Sequence, residues 1–193
     1  MAAPRRAVDK WKMKKWYNVV APELFEKKTI GEIISIEDEN LLNRKVKASM
    51  ADLTGDMGQV YTMITFRVTD VKGESANTKI VGHELSRSYL RTLVRRRKNI
   101  IRQVQDVKTK DNATVRLKIS ALTQTRVSDV VKQALRRALV DEIAVATKDM
   151  NYEEIERDVI YGKLSAKLFN KLKKIAPVKR VEVHKSELLE QFN

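Results

Sequence analysis

From Arg87 to Arg102 the chain reads RSYLRTLVRRRKNIIR, with six arginines, one lysine and no acidic residue. A guanidinium is a planar fork of N–H donors that can grip two phosphate oxygens at once, and each phosphate neutralised releases counterions. Arg95, Arg96, Arg97 and Lys98 are consecutive, so they repel one another unless an anion lies among them. Arg87, Arg91 and Arg95 could form a solvated helix face whose stems cover apolar surface, but the four-cation run points to RNA backbone as ligand. Arg102 extends the same stretch.

A second group lies in the first seventeen residues. Arg5, Arg6, Lys10, Lys12, Lys14 and Lys15 face only Asp9, and Trp11, Trp16 and Tyr17 are interleaved with them. Ammonium groups beside aromatic rings suit unpaired RNA, where bases stack and phosphates are neutralised. The rings of Trp16 and Tyr17 could equally pin the segment to a folded body. Residue type and spacing leave both roles open. Arg136 and Arg137 read as the polar face of a helix.

Other chemistries lack their parts. Cysteine is absent, so there is no disulfide, thiolate ligand or cysteine nucleophile. The two histidines, His83 and His184, have no second histidine at ligand spacing and read as ordinary strand residues. There is no phosphate-binding glycine loop and no dinucleotide fingerprint. Asp141 and Glu142, Glu153 and Glu154, and Glu37 to Glu39 read as counter-charges. No catalytic residue, metal or cofactor is therefore expected. The net charge of +14, from 39 basic against 25 acidic residues, attracts polyanions. No run approaches the roughly 18 apolar residues of a membrane span, and Lys12, Lys14 and Lys15 interrupt any signal-peptide core. Nucleic acid is the partner class expected, with no membrane and no homo-oligomer.

These cations need elements to hold them. Residues 1–17 read as a solvated basic arm, and residues 18–193 as a single α+β body, strand-rich over 30–122 and mainly helical over 127–176. Val46, Ala48 and Met50 alternate with Lys45, Lys47 and Ser49 as a strand, followed by a turn over 52–58. Val60 to Val71 is a long β-branched run closed by Gly73. A short strand over 79–83 is expected after a connection at 75–78, then a hairpin of 100–107 with 113–122. Many antiparallel strands with short turns suggest an antiparallel β-barrel-like body with flanking helices, because closure hides strand edges. One helix capped by Ser86 or Ser88 would carry Leu85, Tyr89, Leu90, Leu93 and Val94 on one side and align Arg87, Arg91 and Arg95 on another. Helical spacing returns from Val127 to Ile143 with Ser128 or Asp129 at its start and Asn151 and Tyr152 at its end. Further helices are expected over 153–160 and after Gly162, where Leu164, Leu168, Phe169 and Leu172 share a side. Val178, Val181 and Val183 suggest a last strand.

Three segments carry a resemblance: Lys14 to Pro22 (KKWYNVVAP), Asn43 to Asp56 (NRKVKASMADLTGD) and Gly82 to Arg97 (GHELSRSYLRTLVRRR). With them the chain, from about Trp11 to Val181, resembles the archaeal and eukaryotic small-subunit ribosomal proteins of the S-three-a type, also classed as the e-type S-one proteins. Arg44, Asp52 and Leu53 match the family signature. Lys47 stands where an acidic residue is common and Lys45 where an apolar one is. The chain ends shortly after Val181, without the long extension of eukaryotic members, and so resembles the archaeal form. The resemblance implies a cytoplasmic, non-catalytic constituent of the small subunit, on the platform near the mRNA exit and the 3′ end of the rRNA. Its implied partners are small-subunit rRNA and neighbouring platform proteins, with mRNA a further candidate. The family's basic stretch corresponds to Arg87, Arg91 and Arg95 to Lys98, and its Trp-Tyr pair to Trp16 and Tyr17. A free regulatory RNA- or DNA-binding protein is the alternative that charge alone allows.

Overall fold

The computed structural model describes residues 11–190, so Arg5, Arg6 and Lys10 lie outside the described residues. In chain order the elements are β1 (Lys15–Val20), β2 (Thr29–Ser35), β3 (Lys45–Ser49), α1 (Met50–Thr54), β4 (Thr62–Lys72), β5 (Ser75–Leu85) and α2 (Arg87–Leu93). There follow β6 (Ile100–Lys108), β7 (Thr114–Thr123), α3 (Asp129–Thr147), α4 (Tyr152–Ile160), α5 (Lys163–Leu172) and β8 (Val178–Leu189).

The long β-branched run and the 100–122 hairpin form as their alternation predicts. Val115, Leu117, Ile119 and Ala121 of β7 are fully buried, while Arg116 and Lys118 face outward. Other segments differ from expectation for identifiable reasons. The alternation over 45–50 stops at Ser49, whose hydroxyl accepts the Ala51 N–H at 3.2 Å and starts α1 through residues expected as a turn. Gly55, at φ +79°, ends that helix in the left-handed conformation glycine tolerates. Residues 75–78 belong to β5, an eleven-residue strand paired along most of its length with β4. Asn151 does not end α3, which stops at Thr147; it begins α4 through a reciprocal cap with Glu154. Lys15 to Tyr17, expected in the arm, are the first half of β1.

The eight strands make one α+β sheet that branches instead of closing. Its main path is β2-β1-β5-β8-β7-β6, with β4 on the other edge of β5 and β3 beyond β4. Among the described residues β2, β3 and β6 each keep an unpaired edge, so the closed barrel is not reached. On one edge β5 serves two neighbours in turn. Its start runs parallel to β1 at Ser75 to Asn77, and its end meets β8 antiparallel at Glu84 and Lys185.

Two apolar cores follow. The larger packs β6, β7 and β8 against α3, α4 and α5, with Leu135, Leu139 and Ile143 fully buried beside Leu117 and Ile119. The smaller gathers Phe25, Met50, Ile64, Phe66 and Ile80, joined by Ile160 of α4. Phe25 meets Phe66 edge-on at 5.9 Å.

Between the cores the β5–β8 crossing is tight and polar. A Cβ on Gly82 would stand 2.1 Å from the Ser186 carbonyl oxygen, so only glycine lets the strands approach. The Ser186 hydroxyl lies 2.8 Å from His83 Nδ1 and 2.9 Å from Glu156 Oε2, and accepts the His83 backbone N–H at 2.9 Å. His83 Nε2 is 2.9 Å from the Val183 carbonyl, which can only accept, so Nε2 carries the proton. Complete burial pushes the Glu156 carboxyl from its ordinary value up to about 7, and burial pulls His83 down to about 4. In the neutral state these bonds take one direction: Glu156 donates through Oε2 to Ser186, Ser186 to His83 Nδ1, and His83 to Val183, while Glu156 Oε1 is buried without a hydrogen-bond partner. Ionising Glu156 leaves the Ser186 proton with two claimants.

Two outcomes follow for stability. Gly82→Ala should destabilise the protein by about 3 kcal/mol, seen as a melting point lower by roughly 10 °C, whereas Gly31→Ala, with nothing near its added methyl, should change little. Because the Glu156 pKa is raised on folding, its contribution is complete below about 4.5 and is lost as pH rises through about 7. Glu156→Gln keeps a donor toward Ser186 and cannot ionise. Relative to the parent it should gain on the order of 3 kcal/mol between pH 4.5 and pH 8 in urea melts. A pH-independent difference would contradict the buried neutral acid.

Candidate nucleic-acid interface

Much of the sheet's charge is paired. Arg116 holds Asp106 at 2.7 Å, Lys118 holds Glu187 at 3.0 Å, and Lys47 reaches Glu84 at 3.5 Å. Among the helices Lys171 meets Glu142 at 3.2 Å and Lys167 meets Asp158 at 3.0 Å. The excess charge is therefore concentrated where pairing is missing.

The first such place is α2 and the loop after it. The helix ends at Leu93, so Arg95 does not continue the row of Arg87 and Arg91 as expected; it begins a loop. A seven-residue helix with no buried residue cannot extend its own face far. It is held down by Tyr89, whose ring stacks on Tyr61 at 3.9 Å with 5° between the planes, and Arg180 lies over Tyr89 at 5.8 Å. The loop turns at Arg96 and Arg97, the latter at φ +62°, and delivers the chain to β6. Arg87, Arg91, Arg95, Arg96, Arg97 and Arg102 are exposed and Lys98 is half-buried. None of the seven makes an ion pair with a carboxylate among the described residues. An array of solvated guanidinium groups without local counter-charge attracts polyanions.

The second place surrounds β1. Lys12, Lys14 and Lys15 are exposed. Trp11 and Trp16 are 63% and 58% exposed, and the Lys14 ammonium sits 4.4 Å from the Trp11 ring centre. Tyr17 differs: alternation along β1 turns it inward, where it is 2% exposed and donates its hydroxyl to Asp38. Its ring is not available to a base. Folding also brings in residues not nominated from the sequence, since Arg44, Lys45 and Lys47 line a shallow groove with Trp11, Lys14 and Trp16. The two lysines at 45 and 47 were visible as the polar side of an alternating strand, but their proximity to the tryptophans depends on β2 and β3, which do not pair with each other, bordering one groove. Arg44 links its two sides, donating to the Ile34 carbonyl of β2 at 3.2 Å.

A larger cleft of about 780 Å³ is lined by residues of both cores, among them Ala21 and Ile80 of the smaller and Tyr152 and Leu188 of the larger. Glu23, Glu153, Glu156 and Glu190 line it against Lys27, Lys79 and Arg157, a wall that gives a polyanion no net attraction.

The fold and these surfaces define a basic α+β protein with two groups of exposed cationic side chains. The chain belongs to the ribosomal S3Ae family, whose model matches residues 2–191. It is 39% identical to the small ribosomal subunit protein eS1 of Sulfurisphaera tokodaii over 98% of both chains. It is 38% identical to the protein of the same name from Desulfurococcus amylolyticus, covering 98% of this chain and 90% of that one. For the Saccharolobus islandicus protein the identity is 36%, with 94% and 87% covered.

The different fates of the adjacent aromatics are testable. Trp16→Ala should weaken binding of an unstructured RNA oligonucleotide about tenfold without lowering the melting point. Tyr17→Ala should instead cost about 3 kcal/mol of stability; equal effects of both on melting would contradict the assignment.

Proposed function

We infer that the protein is a structural constituent of the small ribosomal subunit that binds rRNA and supports translation in the cytoplasm. The observation that carries this reading is the concentration of exposed, unpaired arginine on α2 and the following loop, in a chain whose relatives are small-subunit proteins. Arg87, Arg91, Arg95, Arg96, Arg97, Lys98 and Arg102 neutralise backbone phosphates so that RNA segments can pack closely. Trp11, Lys12, Lys14, Lys15 and Trp16 form a second contact, which the basic residues Arg5, Arg6 and Lys10 extend. Tyr17 supports that surface from beneath.

In this reading the protein acts by assembly and not by turnover. It sits on the platform near the mRNA exit, within reach of mRNA. Its helical layer faces neighbouring proteins, consistent with Val130 and Val145 of α3 standing 78% and 73% exposed. No helix among the described residues is long and apolar enough to cross a membrane.

The full-length protein should co-sediment stoichiometrically with purified small subunits in moderate salt. Replacing Arg95, Arg96 and Arg97 by Glu should weaken isolated RNA binding at least tenfold and lower the slope of log affinity against log salt by about two to three. Subunit association unchanged by the triple replacement would remove the role given to this cluster.

A further inference from the structure

We propose that the cleft between α2 and strands β6, β7 and β8 holds a single unstacked nucleobase while the arginines on its rim grip the flanking phosphates. This rests on the RNA-binding reading above and adds a base-specific site to a surface otherwise described by charge alone.

The cleft encloses about 270 Å³. Leu90, Leu93 and Val94 form one wall, and Ile100 and Leu122 the other. The helical wall is unfinished as protein core: α2 buries no residue, and Val94 is 48% exposed. Apolar side chains contributed from both the helix and the sheet suit the faces of a flat ring. The volume lies just under the roughly 300 Å³ at which pockets for larger ligands begin, which limits the occupant to one ring system.

The third side is polar and is shaped by an irregularity in the sheet. Lys118 pairs with Lys185 and Ile119 with Val183, so His184 is the extra residue of a β-bulge. The bulge turns its side chain into the cleft beside Arg102 and Ser120. The Ser120 hydroxyl is 3.1 Å from His184 Nδ1 and fixes the ring, leaving Nε2 for a base edge. Burial, then the charges of Arg102 and Lys118, hold His184 below its ordinary pKa, so near neutral pH it can meet a base as an uncharged donor or acceptor.

Charge selects the occupant. No carboxylate lines the cleft, and Arg87, Arg91, Arg95, Arg96 and Arg97 stand exposed on the helix and loop that form its rim, with Arg102 inside. An aromatic side chain of a partner protein would fit the walls but leave these cations unmatched. A nucleotide matches both.

The test uses the full-length protein and an RNA hairpin carrying one bulged nucleotide, prepared with adenine at the bulge or with an abasic sugar there. Phosphate charge is the same in both. The base-bearing RNA should bind about tenfold tighter, and 2-aminopurine at the bulge should change its fluorescence on binding. Val94→Trp, in extended backbone at φ −74°, fills the cleft and should abolish the preference between the two RNAs; His184→Ala should reduce it. Circular dichroism establishes that each variant is folded. Equal affinity of the unmodified protein for both RNAs removes the base site while leaving phosphate binding intact. Failure to bind either RNA overturns the RNA-binding reading together with the site. Retention of the preference by folded V94W also overturns the proposal. So does a V94W protein that keeps the preference but no longer assembles with small-subunit proteins, which would assign the cleft to a protein neighbour.

Discussion

The close crossing of β5 and β8 is the contact on which the rest of this structure depends. On one side of it lie β1 to β4 and the smaller core; on the other lie β6 to β8 and the helical layer. The crossing is closed by the absence of a side chain at Gly82 and by the buried chain from Glu156 through Ser186 to His83. A buried polar group is costly unless its partners are present. The bonds of this network therefore form only in one relative position of α4, β5 and β8, and a polar contact of this kind specifies geometry more than it adds stability.

That fixed geometry has consequences at the two cationic surfaces. β5 leads into α2, and the β8 bulge adjoining the crossing places His184 under that helix. The same crossing that orders the interior thus also sets the distance between α2 and the sheet. At its other end β5 pairs with β1, so the strand that presents Trp16 is tied to the same element. Two cationic surfaces far apart in sequence are positioned by one strand.

Charge is sorted by this architecture. Where acidic and basic side chains project from neighbouring strands they pair, as Arg116 does with Asp106, and exposed pairs of this kind add little stability. Where the chain leaves the sheet through a short helix and a loop, Glu182 of β8 is taken by Arg180, and the arginines of the helix and loop pair with no carboxylate among the described residues. Exposed cations left without such partners are what attract a polyanion.

The sequence by itself determined the class of partner, the hairpin of β6 and β7, the three C-terminal helices and the location of the arginine run. Each of these depends on local composition or on periodicity within one segment. It could not separate Trp16 from Tyr17, because the two differ only in which face of β1 they occupy, and that parity is set by pairing with β2 and β5. It could not show that β5 has three neighbours and that the sheet branches and stays open, where alternation alone suggests a barrel-like body. Nor could it reveal that Arg95 leaves the helix, that Lys45 and Lys47 stand beside the tryptophans, or that a bulge turns His184 into a cleft. These depend on non-local pairing, whose register carries no signature within any one strand, so only the tertiary structure decides them.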